Sequence, residues 1–219
     1  MKNRLISAAL LMSLIGFIYP MLGQEAHRFQ GEVDKMTSSD QPVNKKDLML
    51  FTGSSTIRMW KSLAADFPDK NVLNRGFGGS QMDDLIYFAD KLVVAYNPKK
   101  VFIYEGDNDL AANKSSEQIL EQASKLLSII REKLPAKTKV YFISAKPSLS
   151  RWSLKDKYLD FNSKLKAWTA TQKNVEFIDM WAPMLGADGT VMKDIFIEDG
   201  LHMNAKGYAI WAKHFKRYL

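Results

Sequence analysis

The chain has 219 residues, with 31 Lys and Arg against 24 Asp and Glu and a formal net charge of +7. Hydrophobic residues make up 46 % and charged residues 25 %, which excludes a disordered or fibrous chain and fits one packed domain with a sizeable core. There is no cysteine, so disulfides, thiolate zinc sites, iron–sulfur clusters and a thiol nucleophile are all excluded, and three histidines (His27, His202, His214) leave few places for imidazole chemistry.

Met1-Lys2-Asn3-Arg4 is a basic start, residues 5–18 form an uncharged apolar run, and the first acidic residue is Glu25. This layout predicts a cleaved signal peptide over residues 1–24 and an exported protein, periplasmic or secreted. A retained membrane anchor is the alternative, which Pro20 interrupts. Loss of Lys2 and Arg4 lowers the charge from +7 to +5. Residues 25–46 are polar, without periodicity, and contain Pro42, so an irregular arm is expected before a domain over residues 47–219. The lysines are scattered, with no basic stripe and no nucleic-acid motif, so neither a nucleic-acid partner nor stable membrane insertion after cleavage is expected. Nothing in the sequence speaks to oligomeric state.

Short apolar runs then alternate with amphipathic stretches. Leu48-Met49-Leu50-Phe51 predicts a first strand and residues 56–65 a helix; Val72-Leu73-Asn74 predicts a second strand and residues 82–95 a helix with Leu85, Ile86, Phe88, Ala89, Leu92 and Val93 on one face. Val101-Phe102-Ile103-Tyr104 is the third strand. Ser115 and Gln118 make a capping box for a helix in which Ile119, Leu120, Ala123, Leu126, Leu127, Ile130 and Leu134 recur at helical spacing, stopped by Pro135. Val140-Tyr141-Phe142-Ile143 is strand four, residues 155–171 a helix, Val175-Glu176-Phe177-Ile178 strand five, and a last helix starts near Ala205. Five strand–helix alternations with continuously apolar strands predict a single α/β domain: an open five-stranded parallel sheet with helices on both faces.

In such a sheet ligands bind beyond the carboxyl ends of the strands. Four loops of small, polar and titratable residues fall there: Thr52-Gly53-Ser54-Ser55-Thr56, Arg75-Gly76-Phe77-Gly78-Gly79-Ser80, Glu105-Gly106-Asp107-Asn108-Asp109 and Asp199-Gly200-Leu201-His202. The second begins like a dinucleotide-binding loop, but Gln81 replaces its last glycine and it follows the wrong strand. No phosphate loop and no G-x-S-x-G elbow occurs, and Ala112 stands where a calcium loop needs glycine. Nucleophilic catalysis without metal or organic cofactor remains. A serine needs a base, and the base needs a carboxylate to hold its tautomer. Asp199 and His202 are close enough in sequence to pair within one turn, and the backbone N–H groups of Ser55 and Gly79 with the Asn108 amide can receive a tetrahedral oxyanion.

These residues resemble the blocks of the SGNH (GDSL-type) hydrolases, named for a serine, a glycine, an asparagine and a histidine. Phe51-Thr52-Gly53-Ser54-Ser55-Thr56 is similar to the first block, Asn74-Arg75-Gly76-Phe77-Gly78-Gly79 to the second, Gly106-Asp107-Asn108-Asp109 to the third and Asp199-Gly200-Leu201-His202 to the last. The resemblance implies a three-layer, flavodoxin-like α/β/α fold with Ser55 as nucleophile, His202 as base, Asp199 as its partner, and Ser55, Gly79 and Asn108 as the oxyanion hole. The usual Gly-Asp-Ser reads Gly53-Ser54-Ser55 here, which leaves two serines to choose between; register from Gly53 favours Ser55. The short first two blocks are similar to the platelet-activating-factor acetylhydrolase-like and carbohydrate-esterase branches, which implies short acyl esters of small molecules or glycans. Arg151 and Trp152, after strand four, are expected substrate contacts. A lysophospholipase, thioesterase or acyltransferase with the same site, and a carbohydrate-binding protein that has lost catalysis, are the competing readings.

Overall fold

The computed structural model describes residues 27–38 and 42–219; the expected signal peptide lies outside the described residues. Five strands, β1 (Met49–Gly53), β2 (Val72–Gly76), β3 (Lys100–Tyr104), β4 (Lys139–Ile143) and β5 (Val175–Ile178), pair in parallel in the order β2-β1-β3-β4-β5. Their apolar runs are continuous because successive side chains point to opposite faces and both faces are covered. Leu50, Val101, Ile103, Val140 and Phe142 enter one core; Met49, Phe51, Phe102, Tyr104, Tyr141 and Ile143 enter the other. Phe51, Phe102 and Tyr141 occupy one register row and stack across three strands, with ring centroids 4.4 and 4.6 Å apart.

The helices, in chain order, are α1 (Gln30–Ser38), α2 (Ser55–Arg58), α3 (Leu63–Asp66), α4 (Met82–Tyr87), α5 (Ala89–Leu92), α6 (Asp107–Ala111), α7 (Ser116–Lys133), α8 (Lys155–Ala170) and α9 (Ala205–Phe215). α4, α5, α7 and α8 contribute to the first core; α2, α3 and α9 contribute to the second. The capping box of α7 forms as expected, Ser115 Oγ accepting from the Gln118 N–H and Gln118 Oε1 from the Ser115 N–H. Among the described residues no helix is long and apolar enough to cross a membrane.

Three expectations change. The helix expected over 56–65 is two short ones, α2 and α3. Trp60, buried in the aromatic cluster of the second core, stands between them and donates its indole N–H to Asp66 at 2.6 Å. The helix expected over 82–95 breaks at Phe88 into α4 and α5 and ends in a 3₁₀ turn at Asn97, whose φ is +46°. The arm over 25–46 is not wholly irregular, since it carries α1. Phe29, Val33 and Met36 follow i, i+4, i+7 spacing, and Val33 is fully buried with the other two packed against the same core.

Candidate active site

The parallel register sets Gly53 level with Gly76 on one side and Tyr104 on the other, so the segments leaving β1, β2 and β3 start at one height. The chain runs from β1 to β2 on one side and returns to β3 on the other, which opens a crevice between the loops that follow β1 and β3. At Gly53, where φ is +119°, an added Cβ would stand 2.0 Å from the Tyr104 carbonyl oxygen. Glycine alone allows that turn. The Ser54 N–H donates to the same carbonyl at 3.1 Å, and the Phe77 N–H donates to the Gly53 carbonyl at 2.9 Å. Backbone hydrogen bonds thus lock the three loops together.

Ser55 opens α2, and its Oγ lies 2.8 Å from His202 Nε2. His202 Nδ1 lies 2.6 Å from one oxygen of Asp199; the other oxygen accepts the backbone N–H groups of Leu201 and His202 at 2.8 and 2.9 Å. The carboxylate therefore orients the ring and closes the turn that carries it. Partial burial works to raise the Asp199 carboxyl, but the hydrogen bonds from the His202 ring and the two N–H groups outweigh it and hold it at about 2. An ionised Asp199 accepts from Nδ1–H, which leaves Nε2 to accept the Ser55 hydroxyl proton. α2 has only four residues, and its Ile57 and Arg58 N–H groups donate to the Ser54 carbonyl, so no long helix dipole acts at Ser55.

Asn108 is fixed on both sides of its amide. Nδ2 donates to the Ser80 carbonyl at 2.9 Å, and Oδ1 accepts from Arg151 at 3.0 Å, an arrangement that leaves the second N–H of Nδ2 to point elsewhere. A Cβ added at the exposed Gly79 would lie 3.9 Å from Asn108 Nδ2, so the residues of the two expected oxyanion donors are neighbours. The segment of Asn108, expected as a loop, is the helical turn α6. Asp109 there accepts the Gly106 and Met82 N–H groups, both at 3.2 Å, and ties α6 to the start of α4. Under the Gly79 loop, Glu105 is buried with Ser80 Oγ 2.6 Å away. Burial first, and the nearby Asp109 charge second, push its carboxyl well above the usual range. Ser80 Oγ–H donates to Glu105 Oε1 at 2.6 Å, and the Phe77 carbonyl lies 3.3 Å from the same hydroxyl.

Arg151 and Trp152, expected at the substrate, are engaged within the protein. Arg151 pairs with buried Asp107 at 2.6 Å and supports Asn108 from behind; Trp152 is half-buried and stacks on Trp181 with ring centroids 5.9 Å apart. Asp107 also accepts Tyr104 Oη–H at 2.8 Å and Tyr158 Oη–H at 2.5 Å, and the fully buried Lys146 ammonium lies 3.9 Å away. Burial works to raise the Asp107 carboxyl, but Lys146, Arg151 and Tyr158 together hold it below its ordinary value. Lys146 Nζ donates to the Leu201 carbonyl at 2.7 Å, linking the neighbour of Asn108 to the neighbour of His202. Sequence reasoning missed Lys146, Asp107 and Tyr158. The available signal was a lysine just past the apolar run of strand four, on the edge where the site lies.

A hydroxyl, an imidazole and a carboxylate in one hydrogen-bonded chain, on the carboxyl edge of a doubly wound sheet, define an α/β ester hydrolase of the SGNH type. Residues 50–210 match the profile of the GDSL-like lipase/acylhydrolase family, and the chain belongs to that family. Solved structures share the fold. A Streptococcus pneumonia protein provisionally described as a platelet activating factor is 20 % identical, with a TM-score of 0.75 over 89 % of this chain and 92 % of that one. A GDSL-like lipase from Bacteroides thetaiotaomicron is 21 % identical, with a TM-score of 0.71 over 87 % and 96 %. A catalytic mutant of an acetylxylan esterase from Geobacillus stearothermophilus is 17 % identical, with a TM-score of 0.64 over 78 % and 93 %. No curated protein matches the chain in sequence.

Proposed function

We propose that the protein is an exported serine esterase that removes short acyl groups, acetyl above all, from carbohydrate. The observation that carries the catalytic reading is the chain Ser55 Oγ–His202 Nε2, His202 Nδ1–Asp199, at 2.8 and 2.6 Å. His202 takes the Ser55 proton as Oγ attacks the ester carbonyl carbon. The oxyanion is received by the N–H groups of Ser55 and Gly79 and by the Asn108 amide. Collapse breaks the bond to the alcohol, which leaves with the proton from His202. Water, deprotonated by the same imidazole, then releases the acid from the acyl-serine. The resemblance to an acetylxylan esterase fold supports the acetyl-glycan reading.

A lysolipid or thioester substrate, or transfer of the acyl group, is the second reading. It is favoured by two exposed apolar side chains beside the His202 loop: Leu149, packed on Gly200, and Ile197, whose N–H donates to the His202 carbonyl at 2.9 Å. The test is a series of p-nitrophenyl esters from acetate to decanoate beside acetylated xylan. Steep preference for acetate with release of acetate from the polysaccharide is expected; a rise toward decanoate would transfer the assignment to lipid. In the same assay Asn108→Ala is expected to lower kcat by about 10²–10³-fold. A wild-type-like rate would remove Asn108 from the oxyanion hole.

A further inference from the structure

The helix that precedes the family segment touches the site. Residues 50–210 carry the family match, and α1 lies before them. One Glu32 carboxylate oxygen accepts the Gly78 N–H at 3.0 Å and lies 3.6 Å from the Arg58 guanidinium. Gly78 is the residue before Gly79, and Arg58 ends the four-residue helix that Ser55 begins. The same oxygen therefore holds the loop of one oxyanion donor and the helix of the nucleophile.

Other contacts of the arm converge on this loop. Gly78 has φ +33°, and an added Cβ would stand 2.2 Å from the Phe29 ring, so the ring rests directly on the turn. Phe29 also packs edge-on against buried Phe77, centroids 5.3 Å apart. At the far end of the loop, Asp84 accepts the Gln81 N–H at 2.8 Å; Arg28 binds the same carboxylate through two nitrogens and His27 Nε2 approaches it at 3.1 Å. Val33, fully buried in the first core, anchors α1, which carries Glu32 and follows directly on His27, Arg28 and Phe29. A Gly-Gly turn has wide conformational freedom on its own, and Gly79 N–H must stay aimed for its hydrogen bond to favour a transition state.

We infer that α1 and the turn leading into it form a clamp that sets the oxyanion loop, with Glu32 and Phe29 as positioning residues for the Gly79 N–H. The inference rests on the esterase reading above. Its catalytic consequence is a loss in kcat rather than in ground-state binding, because a displaced donor is missed mainly where negative charge develops. Displacements of this order lower turnover by about 10–100-fold.

The test measures kcat and KM for p-nitrophenyl acetate, thermal unfolding, and amide exchange of residues 77–80 in the full chain. Glu32→Ala is expected to lose about 10–100-fold in kcat at little change in KM, with loss of protection at Gly78 and Gly79. Glu32→Gln keeps an oxygen for the Gly78 N–H and is expected to recover most of the rate while losing the ion pair with Arg58. Phe29→Ala should lower kcat in the same way, and Asp34→Ala, whose exposed carboxylate meets Gln30 and Lys91 among the described residues, should not. Glu32→Ala with wild-type kcat and unchanged exchange would overturn the clamp, as would a loss confined to the unfolding temperature. Wild-type protein that turns over no ester would instead overturn the esterase reading on which the clamp rests.

Discussion

Ser55→Ala is expected to lower turnover of p-nitrophenyl acetate by about 10⁶-fold, while Ser54→Ala keeps the rate within a few-fold of wild type. The two hydroxyls are adjacent in sequence and differ in what surrounds them. Ser55 Oγ meets the imidazole at 2.8 Å. Ser54 is 1 % exposed, and its bonds run through the backbone: its N–H donates to Tyr104, and its carbonyl accepts from Ile57 and Arg58 at 2.9 and 3.2 Å. Alanine preserves all three. Because the Ser54 site is closed to solvent, a small neutral side chain there avoids the desolvation that a carboxylate would meet. Steady-state kinetics on both variants, with unfolding curves to show that each is folded, decide the matter. The opposite outcome, an active Ser55→Ala and a dead Ser54→Ala, would overturn the assignment of the nucleophile.

Asp107→Asn is expected to destabilise the fold by about 3–5 kcal/mol, seen as a fall in Tm of roughly 10 °C or more at neutral pH. The loss comes from what stays behind. Arg151 loses its counterion, the fully buried Lys146, whose pKa burial already lowers, loses the carboxylate that favours its charged form, and an amide offers one acceptor where Tyr104 and Tyr158 each now donate to a carboxylate oxygen. Activity should fall as well, because Arg151 no longer has a fixed position from which to hold Asn108. The pH dependence carries a sign. The folded-state pKa of Asp107 lies below its ordinary value, so its contribution is complete above the unfolded pKa of about 3.9 and is lost as pH falls through the folded value. The gap between wild type and variant should therefore narrow on acidification below about pH 4. Adding Lys146→Met to Asp107→Asn should cost less than the sum of the single changes, since the second removes a buried amine that the first has left without its carboxylate. Additive losses would mean that the two groups do not compensate each other.

The apolar runs within β1 to β5 were legible in the sequence because strands covered on both faces read as near-continuous apolar stretches. The pattern is fullest in central β1, β3 and β4, while the edge strands β2 and β5 also carry Asn74, Arg75 and the exposed Glu176. The carboxyl edge of the sheet followed from the parallel order, and with it the loops that hold Ser55, Gly79, Asn108 and His202. Local chemistry also set the capping box of α7 and the Asp199–His202 turn, since each joins residues within three positions of one another.

The long-range partners were decided by the fold alone. Glu32 reaches Gly78 across 46 positions, Lys146 reaches Leu201 across 55, and Arg151 reaches Asn108 across 43. A charged side chain reads as surface until burial deprives it of water, and only then must it find a counter-charge or a carbonyl. That is why the contact of Arg151 with Asn108 and the buried Lys146 passed unnoticed. The breaks in the helices at Trp60 and Phe88 have the same origin, because large buried rings on tertiary neighbours override spacing that is otherwise helical. Composition and periodicity determined the layers and the edge where the site lies. Closure of the Ser55–His202 gap, the clamping of the Gly78 turn and the compensation of Asp107 depend on distances between remote segments, which no local pattern encodes.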